Sequence, residues 1–182
     1  MELMEAIKTR RSVRKYKDTP VSEETLNLVL EAARLAPSWA NTQCWRFIVV
    51  RDKSIKNQLA DMVGRNPSTE AIRTAPIVIV ACAQLGVSGF YKGEAKSDLG
   101  DWFMFDVALA MEHLVLVAHS LGLGTVHVGL NFDSKKAAEI LGIPAGFRAI
   151  ELTPLGYPDG EARPVPRKEL SEIVFYDRWQ PK

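Results

Sequence analysis

The sequence predicts a domain of mixed helices and strands in which a central strand lies under helices on both sides. The run APIVIVACA, residues 75–83, is apolar at every position, which suits a strand covered on both faces. Around it the apolar residues recur at helical spacing, as in Leu26, Val29, Leu30 and Ala33 or Ile55, Leu59 and Met62. With 182 residues, 47% hydrophobic and 25% charged, the chain has ordinary globular composition. Residues 1–182 are therefore expected to form a single domain.

Taken in order, Leu3, Met4 and Ile7 predict a short helix, and Val13 and Tyr16 predict extended chain beyond it. Pro20 marks a turn. Ser22, followed by Glu23 and Glu24, is a helix start, because its hydroxyl caps free amides and the acids suit the positive end of the dipole. That helix ends before Pro37, and WRFIVVR then reads as a strand. Asp52 opens the next helix. After the apolar strand comes a segment of lid length, QLGVSGFYKGEAKSDLG. The longest helix is predicted from about Asp98 to Leu121, and its apolar second half points to a core or a subunit contact. GLGTVHVGL should leave it through Gly122 into a strand; Ser134 caps a helix over KKAAEILG, and Phe147 to Leu155 is another strand. The tail carries Pro164 and Pro166, then Val174, Phe175, Tyr176 and Trp179, an apolar terminus that needs a surface to cover it.

Charge and residue spacing exclude several classes of function. Lys plus Arg number 23 against 22 acids, a net charge of +1, so no broad field attracts nucleic acid or an anionic membrane. The first residues lack the apolar core of a signal peptide, and no stretch reaches the roughly 20 apolar residues of a bilayer span, which implies a cytoplasmic protein. Cys44 and Cys82 form no CxxC, and His113, His119 and His127 have no zinc spacing, so no disulfide framework or metal site is expected.

Four groups of residues can carry chemistry. In RRSVRKY, an extended backbone projects Arg10, Ser12 and Arg14 on one face, a donor set that matches a phosphomonoester; alone, the run reads more readily as a solvated basic surface or a targeting-like cluster. In PSWANTQCW, Ser38, Asn41 and Gln43 sit on a loop, where amides can either read a heterocycle edge or satisfy their own backbone. GLGTVHVG does not fit GxGxxG and follows a helix, so it is no dinucleotide fingerprint, although Gly129 would let backbone amides approach a ring, with His127 beside it. Arg167 and Lys168 add positive charge near the end of the chain.

In order and spacing, RRSVRKY, APSWANTQCWRFIVV, TAPIVIVA, SLGLGT and PRKELSEIV resemble the nitroreductase family of flavoproteins across nearly the whole chain. The resemblance implies an α+β fold with a mixed central sheet, helices on both faces, and an intertwined homodimer whose C-terminal extension crosses onto the partner. It implies two FMN at the interface. Arg10, Arg11, Ser12 and Arg14, with Arg167 and Lys168, would bind phosphate and ribityl; Pro37, Ser38, Trp39 and Asn41 would contact the ring, Pro37 to Trp39 from the other subunit. Val126, His127, Val128 and Gly129 would lie along the flavin with a backbone donor near its hydride-accepting nitrogen. The chain departs from the family's PSSxNxQPW at Trp39, which replaces a small polar residue, and at Cys44, which replaces a proline and reads as packing.

The implied activity is electron transfer in two half-reactions at one site, from NAD(P)H to the flavin and then to a small electron-poor acceptor such as a nitroaromatic or quinone. No side chain is assigned as acid, base or nucleophile. Phe90, Tyr91, Trp102 and Phe103 can stack on the acceptor or pack in the core. Reductive dehalogenation, enone reduction, flavin fragmentation and non-catalytic FMN storage are the alternatives.

Overall fold

The structure is a computed structural model that describes residues 1–129 and 131–179. Leu130, the last residue of the predicted strand segment GLGTVHVGL, and residues 180–182 of the expected domain lie outside the described residues. Helices are α1 (Leu3–Thr9), α2 (Glu23–Arg34), α3 (Lys53–Val63), α4 (Thr69–Thr74), α5 (Phe103–Ser120), α6 (Ser134–Leu141) and α7 (Leu170–Ile173). Strands are β1 (Trp45–Val50), β2 (Ile77–Gln84), β3 (Phe90–Tyr91), β4 (Glu94–Ala95), β5 (Gly124–Thr125) and β6 (Phe147–Gly156). The main sheet has the order β1-β2-β6-β5, and β3 and β4 form a separate hairpin.

The α+β architecture is as expected, and the apolar strand is central. β2 buries Ile77, Ile79, Ala81 and Ala83 against α2 and α5 on one face. It buries Val78, Val80 and Cys82 with residues of α3, α4 and α6 on the other. Alternation of side chains along a strand produces this two-sided burial. All three ladders of the main sheet are antiparallel, and parallel pairing among the described residues is confined to the bridge between Ser12 and Thr125. The mixed character of the sheet is therefore slight within one chain.

Capping follows the predicted chemistry at two helices and departs from it at a third. Ser22 accepts from the Thr25 N–H and Asp52 from the Ile55 N–H. At α6 the cap is Asp133, which accepts from the N–H groups of Lys135 and Lys136, while Ser134 is the first helical residue and donates to the Ala149 carbonyl. The acid, one residue earlier, reaches the free amides better than the serine. The strand expected over 122–130 is reduced to β5 and a bridge from Val128 to Leu152. Pro20 lies in extended chain, with the bend at Asp18.

Two apolar helices differ from expectation. Leu3, Met4 and Ile7 predicted α1, yet all three are exposed and its buried residue is Ala6. Helix α5 is long and apolar enough, by length and composition alone, to cross a bilayer, which corrects the expectation that no stretch comes near it. Here Val107, Ala110, Met111, Leu114 and Ala118 of α5 are buried in the core cluster shared with α2 and β2.

Candidate active site

The N-terminal run is seated on the sheet edge by two glycines. Val13 donates its N–H to the Thr125 carbonyl at 2.8 Å, and a Cβ on Gly124 would stand 2.7 Å from the Val13 Cβ. Tyr16 is buried, donates to the Val13 carbonyl at 2.7 Å, and packs where a Cβ on Gly156 would come 3.1 Å from its ring. Burial pushes the Tyr16 hydroxyl upward, against the pull of Arg14. Between these anchors the backbone is extended, so Ser12 and Arg14 are exposed while Arg11 and Val13 turn inward.

The predicted donors separate accordingly. Ser12, Arg14 and Lys15 line a cleft of about 220 Å³ that they share with Asp159 and Glu161. Arg14 Nε donates to Ser68 Oγ at 3.2 Å, which draws in the turn containing Asn66, whose side-chain oxygen accepts from the Ser68 N–H. Burial first, then the charges of Arg10 and Arg11, lowers the His119 pKa, and Arg10 also opposes the net rise at His127. Arg11 lines the neighbouring cavity with His119 and donates to the carbonyls of Lys8 and Arg10, closing the end of α1. Arg167 and Lys168 are exposed, and no hydrogen bond or ion pair among the described residues ties them to this cluster.

Beyond β5, Val126 and Val128 are buried while His127 and Gly129 face a groove of about 370 Å³. Val126 and Val128 give their N–H groups to Thr153 Oγ1 at 3.2 Å and the Leu152 carbonyl at 3.0 Å. The backbone donors turned away from β6 are therefore those of His127 and Gly129. Opposite them, the pairing of β6 with β2 shifts between Ala81 and Cys82, leaving Ile150 as an extra residue. This bulge puts the consecutive residues Ile150 and Glu151 on the same groove, which a regular strand would not do. His127 Nδ1 meets Glu151 Oε2 at 3.0 Å, and that hydrogen bond raises its pKa above the usual imidazole value, against burial and Arg10. Glu112 of α5 lines the same groove.

The PSWANTQCW segment is held elsewhere. Asp106, fully buried in the first turn of α5, accepts from the Trp39 N–H at 2.9 Å, the Thr42 hydroxyl at 3.3 Å, the Cys44 thiol at 3.6 Å and the Ser88 hydroxyl at 2.7 Å. Ala40, Asn41 and Gln43 adopt φ of 44°, 56° and 47°, a left-handed backbone that costs a non-glycine residue about 1–2 kcal/mol. Burial first, then Asp106, pushes the Cys44 thiol up to about 12, so it is a packed thiol, as Cys82 is. Thr9 meets His119 at 2.8 Å near the far end of α5. The loop and the arginine run thus stand about thirteen helical residues apart, roughly 20 Å at 1.5 Å per residue.

Among the aromatic candidates, Phe103 is packed in the core cluster. Trp102 donates to Ser97 Oγ at 2.9 Å and meets Phe105 edge to face, while Phe90 and the exposed Tyr91 form β3. Sequence reasoning missed Asp106, Ser88, Glu112 and Glu151. A lone acid in FMFDVALAM and another inside RAIELTPL were the available signals. Among the described residues, no group of three or more His, Cys, Asp or Glu is placed to hold a metal ion.

The Nitroreductase family model matches residues 7–70 and 64–157. The chain is 32% identical over 192 residues to the NADH dehydrogenase of Thermus thermophilus, covering 92% of each. It is 29% identical over 180 residues to the FMN reductase [NAD(P)H] of Bacillus subtilis, covering 91% of this chain and 70% of that one. Its fold superimposes on the crystal structure of a nitroreductase family protein from Clostridium novyi NT with TM-score 0.77 and 36% identity, covering 87% of each chain.

Proposed function

This chain belongs to the nitroreductase family, and from that premise we propose that it is an FMN-dependent oxidoreductase, a homodimer that passes electrons from NAD(P)H to small electron-poor acceptors such as nitroaromatics and quinones. The observation that carries the reading is the donor set at the β5 edge: Ser12 and Arg14 exposed on one face of the run, with Ser12 bridged to Thr125, two residues before His127 and its outward N–H.

This donor set fits a flavin mononucleotide. Ser12 and Arg14 bind its phosphate, and Arg10, beside His127, adds charge between phosphate and ring. Gly129 has no atom within 4 Å of a would-be Cβ, so its backbone is open to a ring laid against it. When bound, the flavin supplies the redox chemistry, accepting a hydride equivalent from NAD(P)H and giving up two electrons to the acceptor. Within one chain the Ser38–Asn41 loop, held at Asp106, stands roughly 20 Å along α5 from the arginine run. We assign it to the flavin of a second copy, whose approach also covers the exposed Leu3, Met4 and Ile7 of α1, Met104 and Phe105 of α5, and the apolar tail. Arg167 and Lys168, on that tail, are assigned to the phosphate end once the tail is docked. Tyr91 and Trp102 are assigned to the acceptor side.

Freshly purified protein is expected to be yellow and dimeric, to bleach with NADH or NADPH in the absence of oxygen, and to regain colour on mixing with a quinone or nitroaromatic. Colourless, monomeric protein that takes up no added FMN overturns the proposal. Yellow protein that stays yellow with both nicotinamides marks a storage protein. Recolouring by halogenated phenols alone, among acceptors tried side by side, marks a dehalogenase.

A further inference from the structure

We propose that Asp106 is a positioning residue that sets two ligand-facing segments at once, the Ser38–Cys44 loop and the 85–102 segment, through a single buried carboxylate. The proposal rests on the flavin reading above for what the loop contacts, and on geometry for the coupling itself.

All four donors that meet Asp106 come from these two segments. Trp39, Thr42 and Cys44 lie on the loop, and Ser88 lies at the base of the 85–102 segment. Both Asp106 and Ser88 are fully buried, so water does not replace a lost partner. The loop needs such a clamp. Three non-glycine residues in the left-handed region within four positions persist only where surrounding contacts over-determine them, and the Trp39 N–H bond to Asp106 fixes the residue just before the first of them. Ser38 Oγ, accepting from the Gln43 N–H at 2.9 Å, closes the loop on itself and leaves Asp106 to anchor it to the helix.

The same carboxylate holds the other segment. Ser88 returns its carbonyl to the Trp102 N–H at 3.1 Å, and Gly86 donates to Asp101 at 2.7 Å, so the 85–102 segment is pinched at its base. Gly89 packs so closely under Trp102 that a Cβ there would come within 2.6 Å of the indole. Beyond the pinch the chain runs out to the β3–β4 hairpin and the exposed Tyr91. A shift of the Asp106 carboxylate toward one segment withdraws an acceptor oxygen from the other, because Oδ2 is shared by Thr42, Cys44 and Ser88.

The test uses amide hydrogen exchange and FMN titration on the full chain, comparing wild type with Ser88→Ala, Thr42→Val and Asp106→Asn. Ser88→Ala, which removes one of the three donors sharing Oδ2 and leaves the loop's own side chains intact, is expected to speed exchange in residues 38–44 as well as 86–102. Thr42→Val is expected to do the converse, and Asp106→Asn to do both and to weaken FMN binding by about tenfold, as loss of a charge-assisted bond in the loop would. Exchange that speeds only in the segment carrying each substitution overturns the coupling, and coupled exchange with FMN affinity unchanged overturns the positioning role. If Asp106→Asn does not fold, the two hydroxyl variants decide alone. Wild-type protein that takes up no FMN refutes the flavin reading itself, whereas the exchange comparison in the flavin-free chain still tests the coupling.

Discussion

Replacing Gly124 with alanine separates the seating of the arginine run from everything else in the site. The added Cβ would lie 2.7 Å from the Val13 Cβ and 2.8 Å from both of its Cγ atoms. Because Cβ itself is in the way, no rotamer of Val13 relieves the contact, and the backbone of the run has to lift off β5. Overpacking of this kind costs about 1–3 kcal/mol. The strained bond from the Val13 N–H to the Thr125 carbonyl is worth about 1 kcal/mol net. The stiffer unfolded chain returns about 0.4–1 kcal/mol. A net loss of about 1–3 kcal/mol corresponds to a fall in Tm of roughly 2–12 °C for a chain of this size. Ser12 and Arg14 move with the backbone, so FMN retention should fall as well. Gly129→Ala is the partner measurement: its Cβ meets nothing within 4 Å, so the flavin-free Tm should hold or rise slightly as the unfolded chain stiffens, while FMN binding weakens. Thermal unfolding without flavin and FMN titration give both readouts. An unchanged Tm for Gly124→Ala refutes the close approach, and undiminished FMN binding by Gly129→Ala refutes the flavin's course along this backbone.

Arg14→Ala should release FMN more readily than Lys17→Ala on dilution or dialysis, and equal retention would remove Arg14 from the phosphate site. Glu151→Gln should lower the His127 pKa measured by NMR titration, since the Glu151 hydrogen bond is its largest upward cause. The sign for stability follows: the contribution of a raised histidine is present below its unfolded value of about 6.5 and is lost as pH rises through the folded value, so Glu151→Gln should destabilise more at mildly acidic pH than at about pH 8. Equal destabilisation at both would show that the pair acts through packing. With thiols pushed up to about 12 and about 11 by burial, Cys44 and Cys82 should resist alkylation near neutral pH in the folded chain and react once it is unfolded. Rapid native labelling of either would contradict the burial.

The fold was legible where periodicity and burial coincide. β2 announced itself because both of its faces are covered, and α2 and α3 because their serine and aspartate caps stand just before amphipathic runs. Legibility failed where two adjacent residues compete for one role, as Asp133 and Ser134 do at α6. It failed again at α1, whose periodic apolar face is a real pattern directed at no surface of its own chain. In the site, Ser12 and Arg14 of RRSVRKY share an exposed face, whereas Arg10, read onto that same face, is half-buried like Arg11. Glu151 was not foreseeable from strand alternation, since a bulge between Ala81 and Cys82 re-aims it. Asp106 was visible only as an acid in an apolar helix. Its four partners are 18 to 67 residues away along the chain, and such a meeting is set by tertiary packing alone.

Helix α5 explains why the proposed cofactor and the proposed dimer are one question. One end of α5 holds, through Asp106, the loop proposed to contact the ring, and the other stands beside the arginine run through His119. A rigid helix cannot shorten the roughly 20 Å between them. In the proposed dimer, a two-fold axis crossing α5 would turn the second α5 end for end and bring each loop toward the other chain's arginines. Apolar side chains are left exposed on α1 and at the start of α5, area that the proposed association would cover. On this arrangement each flavin is held by groups from both chains, and flavin binding and subunit association draw on the same free energy. Each must then strengthen the other by the same factor, because the linkage between two binding equilibria is reciprocal.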